Sequence, residues 1–356
     1  MNISTRATRT SLLAAAAAAV LAVTVTGPAT AAPTGDARFV AHLDMAAGQR
    51  PENIVLEPSG AADVTFAFSR QVARVTPDGG VHVLATLPEP PAGATTPALA
   101  SPFLGGIVRT HDGTLYFLYA TGSADQTGLW RLRPGGTPQR IAALPADGLP
   151  NGLALDEGTG HFYIADSVLG TVWRVPATGG APTRWATAPE LAREGFLGAN
   201  GIKIHRGAVW VTNLDKGTVL RIPIGSRGTA GAVRVRATGL VNIDDFAFTG
   251  HGDTLLAAIN ADNEISVVRP DGSHTVVLTG ADGLQNPTSL AVRGSTAYVA
   301  SAAYSTNDDP NLLAVRVHRG AWLRRGEDGV PAARTAEPPL TGAPVRVPVR
   351  RTRADY

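Results

Sequence analysis

Apolar positions in this chain come in short bursts rather than long stripes. Six runs rich in aromatic and β-branched residues recur: Asp63–Phe68, Thr114–Tyr119, His161–Asp166, Ala208–Asn213, Thr254–Ile259 and Thr296–Ser301. Each has strand length and strand composition, and Gly, Pro, Asp or Asn bounds most of them. They start roughly 42 to 51 residues apart, the repeat length of propeller blades. A related segment precedes each run: Glu52–Leu56, Gly105–Arg109, Asn151–Leu155, Asn200–Ile204, Asp244–Phe248 and Thr288–Val292. A third strand follows, as in Gln71–Val75, Gly128–Leu132 and Thr171–Val175, and then a Gly-rich turn leads to a fourth. No strand–helix alternation occurs, which argues against a parallel α/β fold. A sandwich or β-helix would not produce this spacing.

The pattern predicts an all-β chain: a six-bladed β-propeller of four-stranded antiparallel blades. Blade six lacks an evident fourth strand of its own. Arg38–Leu43, near the start, is the segment available to supply it and close the ring, which removes exposed edges.

The chain ends read differently. Residues 1–31 carry Arg6 and Arg9, then an apolar run from Leu12 to about Val25, then Pro28-Ala29-Thr30-Ala31. That is the layout of a secretory signal peptide, so the expectation is a secreted protein with no membrane span after cleavage. The propeller is expected over residues 36–325, and residues 326–356 form a Pro- and Arg-rich C-terminal tail.

Charge changes the picture only once the leader is set aside. The chain has 31 Lys and Arg against 29 Asp and Glu, and two of those Arg lie in the leader, leaving 29 against 29. A neutral mature chain gives no reason to expect nucleic acid as a partner. There is no cysteine, which rules out thiol nucleophiles, Cys-ligated zinc and iron–sulfur clusters. Gly-x-Ser-x-Gly, His-Glu-x-x-His and phosphate-binding Gly-rich loops are also missing.

The chemistry lies in one column. In a propeller the first strand of each blade lines the central channel, so equivalent positions face one another. Aligned on the apolar residue that follows, the six strand entries read Glu52, Gly105, Asn151, Asn200, Asp244 and Thr288. Singly, an Asn before Gly is a common turn pair and a Glu at a strand start is merely solvated. As a set, two carboxylates facing each other across a narrow pore repel. One divalent metal ion would relieve that repulsion, with the two amide oxygens completing its shell. Oxygen-only ligation favours calcium, magnesium or manganese over zinc.

From about Arg50 to Val317 the chain resembles the senescence marker protein/gluconolactonase/LRE-like family of six-bladed propellers. The matching motifs are Pro51-Glu52-Asn53, Pro150-Asn151-Gly152, Ala199-Asn200-Gly201 and Ile243-Asp244-Asp245. The resemblance implies one pore metal held by Glu52, Asn151, Asn200 and Asp244. Where the family has Pro-Asp-Gly this chain has Ile243-Asp244-Asp245, so Asp245 competes with Asp244 as ligand, and the alignment favours Asp244. Sugar lactonases of the family carry an Arg two residues before the third-blade Asn. Here that residue is Leu149, so the sugar is not carried over.

The expected activity is metal-dependent hydrolysis of a small-molecule lactone or related ester, with Asp244 as catalytic general base. Asn286, His111 and Asn213 are candidate substrate contacts at the pore mouth, while His205 and His251, in turns, read as solvated. The competing expectation is a non-catalytic propeller of the NHL or strictosidine synthase-like type, binding a ligand or partner and using its pore metal only for stability.

Overall fold

The structure is a computed structural model that describes residues 37–316. The leader and the tail read from the sequence lie outside the described residues. Six four-stranded antiparallel sheets account for nearly all regular structure, with two short 3-10 turns between blades. The all-β, six-bladed expectation is met. The inner strands are Pro51–Leu56, Phe103–Arg109, Pro150–Asp156, Ala199–His205, Ile243–Phe248 and Pro287–Arg293. Each packs against the inner strands of its two neighbours, and blade six meets blade one, so the ring is closed.

Closure uses the segment the sequence offered. Arg38–His42 is the outermost strand of blade six and pairs antiparallel with Asn311–Arg316, from Arg38 opposite Ala314 to His42 opposite Asn311. The backbone N–H of Leu43 extends the ladder to the Pro310 carbonyl at 2.7 Å.

The core is divided among the blade interfaces. Blades one and two enclose Val72, Leu104, Phe117 and Trp130, and blades three and four enclose Tyr163, Leu191, Ile202 and Leu220. Each such side chain, fully buried, contributes about 1.5–3 kcal/mol relative to exposure. Near the axis, buried hydroxyls tie second strands or inner strands to the next blade. Thr65 donates to the Gly105 carbonyl at 2.7 Å, Ser167 to Ala199 at 2.7 Å, Thr212 to Asp244 at 2.6 Å and Thr288 to Pro51 at 2.8 Å.

Every inner strand is irregular at the same place. Its register with the second strand shifts between Pro51 and Asn53, Leu104 and Ile107, Pro150 and Leu153, Ala199 and Ile202, Ile243 and Phe246, and Pro287 and Ser289. These are bulges, which bend a strand and re-aim its side chains. The six column positions sit on them.

The Asn-Gly pairs are therefore not turns. Neither Gly152 nor Gly201 has positive φ. Their role is close approach: a Cβ on Gly152 would lie 2.2 Å from the Asn200 carbonyl oxygen, and one on Gly201 would lie 2.7 Å from the Asp245 Cα. Gly152→Ala should destabilise the protein by about 2 kcal/mol or more, because packed backbone must move. Gly195→Ala, whose Cβ would meet nothing within 4 Å, is the control and should leave the denaturation midpoint nearly unchanged.

Candidate metal centre

The bulges bring the four predicted donors together. Glu52, Asn151, Asn200 and Asp244 are all buried and all line one pocket of about 350 Å³ at the entry ends of the inner strands. The other two column members supply no free oxygen. Gly105 has no side chain, and the Thr288 hydroxyl is used between the Pro51 and Ala300 carbonyls.

Asp244 and Asp245 point to different surroundings, as successive residues on a bulged strand do. Asp244 lines the pocket, where Asn260 Nδ2 donates to its Oδ2 at 3.2 Å. Asp245 is gripped by Lys203 Nζ at 2.6 and 2.7 Å, by Ser289 Oγ at 2.7 Å and by Asn53 Nδ2 at 3.2 Å. Lys203 and Asn53 line a separate cavity of about 530 Å³ further along the inner strands. Asp245 thus has its charge matched already, and Asp244 does not.

The electrostatics favour a cation over an anion. Burial pushes the Glu52 carboxyl up to about 7, with the Asp245 charge adding to the rise and the Tyr304 hydroxyl opposing it. Burial, then Glu52, then Asp245 hold the Asp244 carboxyl well above the usual carboxylate range. Asn200 favours the Asp244 carboxylate from nearby, yet its buried Nδ2 makes no hydrogen bond of normal geometry. Buried polar atoms are rarely left without a partner.

Two carboxylates and two amides fit one divalent, oxygen-seeking cation in charge and in donor type. Among the described residues no three His, Asp or Glu side chains group as a metal site, so any cation here depends on the amides as well as the acids.

Several pocket residues carry no mark in the repeat. Tyr304 donates its hydroxyl to Glu52 Oε2. Arg50, Phe68, Leu99, Phe103, Phe196, Leu197, Leu214 and Asn260 complete the lining. Phe68, Leu214, Asn260 and Tyr304 all lie in the turns after the second strands. Leu214 and Asn260 share the first position after their strands, a signal that aligning those turns would have shown.

The three expected substrate contacts are not in this lining. Asn213 donates to the Glu190 and Ala192 carbonyls, and Asn286 accepts from Ser305 and Thr306. Both amides are spent on shaping loops. His111 sits in the turn beyond Arg109, past the far end of its inner strand. His205 is not simply solvated: it stacks on Phe248 with ring centroids 3.8 Å apart and contacts Asp253 at 3.1 Å. Leu149, in place of the family's Arg, is fully buried among Phe103, Ala120 and Leu197.

No protein-family model matches the sequence, and no curated protein matches it. Solved structures do match in fold. A protein proposed to be a gluconolactonase superposes with TM-score 0.57 at 18% identity, covering 80% of this chain and 92% of its own. Regucalcin from Agrobacterium tumefaciens, a calcium-binding protein, gives TM-score 0.57 at 17% identity, covering 78% and 94%. Virginiamycin B lyase from Staphylococcus aureus gives 0.51 at 14% identity, covering 76% and 96%. At these identities the likeness is one of fold, and the chain is a six-bladed propeller sharing its architecture with the gluconolactonase-like and regucalcin structures.

Proposed function

We propose that this protein is a secreted hydrolase that uses one divalent cation, calcium, magnesium or manganese, to open a lactone or related ester. The observation that carries the reading is the convergence of Glu52, Asn151, Asn200 and Asp244 in one pocket, where burial drives both carboxyls toward protonation and the Glu52 charge raises Asp244 further. Glu52, Asn151, Asn200 and Asp244 would hold the cation. When bound, it polarises a carbonyl and acidifies water.

The protein's own residues do the rest. Asp244, ionised opposite a cation, takes a proton from the attacking water. The water oxygen bonds to the carbonyl carbon, and the bond from that carbon to the ester oxygen breaks. The departing alkoxide receives the proton, giving a hydroxy acid from a lactone or an acid and an alcohol from an ester. Tyr304 fixes the Glu52 carboxylate, and Asn260 fixes one oxygen of Asp244. The fold likeness to a proposed gluconolactonase and to calcium-binding regucalcin supports the reading.

The test is a panel of lactones and aryl esters assayed with added calcium, magnesium, manganese or zinc, and with chelator. Hydrolysis that requires an added cation and stops with chelator is expected. A large cation-dependent rise in melting temperature with no hydrolysis of any substrate would replace this reading with a binding protein whose cation only stabilises the ring.

A further inference from the structure

Above its polar floor the pocket is apolar. Phe68, Leu99, Phe103, Phe196, Leu197 and Leu214 form most of the wall. Beneath it, buried Leu149 packs against the same cluster. The polar groups on the wall are few and partly engaged already. Arg50 Nη2 donates to Asn307 at 2.8 Å and its Nε to the Met45 sulfur at 3.1 Å. Tyr304 is committed to Glu52, and Asn260 divides its amide between Asp244 and the Pro287 carbonyl at 3.2 Å. A molecule covered in hydroxyls would lose water here and find few partners in return, which a binding site punishes severely.

The mouth is apolar by construction. Phe68 and Phe196 are 38% and 50% exposed, among the few large hydrophobic side chains left in the open. Phe196 is not on a loose loop. The Asp215 carboxylate accepts the backbone N–H groups of Glu194, Gly195, Phe196 and Leu197 at 2.9, 2.8, 3.0 and 3.2 Å, fixing the segment that presents it. Phe68 is braced by Phe103 and Tyr304, with ring centroids 6.3 and 5.6 Å away. Exposed apolar rings held in place around a cavity of this size are the signature of a small-molecule site.

We infer that the pocket takes a lactone or ester with an apolar alkyl or aryl body, the carbonyl on the Glu52–Asp244 floor and the body between Phe68 and Phe196. This rests on the hydrolase reading for the chemistry but not for the binding. The volume, about 350 Å³, sets the size at that of a small molecule rather than a peptide or polymer.

The experiment uses the full secreted chain with excess calcium or manganese and three probes: γ-butyrolactone, γ-decalactone and glucono-δ-lactone. Each buried methylene favours binding about fourfold, so burying about three or four of the six extra carbons of γ-decalactone should raise its kcat/KM above that for γ-butyrolactone by on the order of 10²-fold. Phe196→Ser and Phe68→Ser should each reduce that preference, read as the ratio of kcat/KM for the two lactones, about tenfold, and since both rings are partly exposed their loss should not unfold the blade. Calorimetric binding of the hexyl-substituted γ-lactam, which resists hydrolysis, separates the two readings. If the lactam binds, Phe196→Ser weakens it and nothing is hydrolysed, the hydrolase reading fails and the apolar ligand class stands. Equal or better use of glucono-δ-lactone, a chain-length preference untouched by both substitutions, or no binding of the lactam overturns the inference.

Discussion

Asp244→Ala should abolish lactone hydrolysis, lowering kcat/KM by about 10³-fold or more, in a protein that still folds. The substitution removes a cation ligand and the proton acceptor together, and general bases alone commonly account for 10²–10⁴-fold. The fold should survive because this carboxylate is a burden to it. Burial first, and then the charges of Glu52 and Asp245, hold Asp244 well above the ordinary carboxylate range. Asn260 loses one acceptor but keeps the Pro287 carbonyl. In chelator, the melting temperature of the variant should equal or exceed that of the parent. Asp245→Ala should behave in the opposite way, since it strands the Lys203 ammonium and lowers stability. An Asp244→Ala protein that hydrolyses at the parent rate would sink the mechanism.

The second large effect concerns pH and the cation together. Glu52 moves from 4.5 to about 7 on folding, so the folded protein holds this proton more tightly than the unfolded chain. The stability that comes with the proton is fully present below about pH 4.5 and is lost as pH rises through about 7. For this one group the loss is roughly 3 kcal/mol. A divalent cation should restore it, by about 4 kcal/mol at a thousandfold excess over Kd. At pH 4.5 the cation should do little, because protons compete for the same oxygens. Denaturation midpoints across pH, with chelator and with calcium or manganese, should therefore diverge upward from pH 5. Glu52→Gln should make the chelated profile shallower, with the remaining slope that of Asp244. Superimposable profiles with and without every cation tried would remove the cation from the pocket.

The propeller was legible because strands repeat and their spacing survives sequence drift. Even the closing strand was visible, since blade six lacked a partner and Arg38–Leu43 had none. The column of Glu52, Asn151, Asn200 and Asp244 was legible because the bulge recurs at one position in every inner strand, so alignment on the next apolar residue kept them in step. The bulge itself was not legible. Asn151-Gly152 reads as a turn in a linear sequence, and only the 2.2 Å approach to the next blade shows why Gly is needed. The bulge sends Asp244 and Asp245 to different surroundings, and the alignment that favoured Asp244 does not reveal that Lys203 meets its neighbour. The apolar wall was missed because Phe68 and Leu214 come from turns, Leu99, Phe196 and Leu197 from connections between blades, and only Phe103 from an inner strand.

The pairing of Arg38–His42 with Asn311–Arg316 has a consequence for how the molecule comes into being. Five blades are built from contiguous sequence and involve mainly local pairings, which form fast. The sixth needs the earliest described strand and the latest at once. Among the described strands that contact carries the largest loop-closure cost, so it should form late, after the other blades are in place. Until then the edge of Asn311–Arg316 is an open template for any passing strand. The same order run backwards predicts that detachment of Arg38–His42 opens the unfolding of the ring, so substitutions at this seam should shorten its half-life more than comparable ones in the outer strand of another blade.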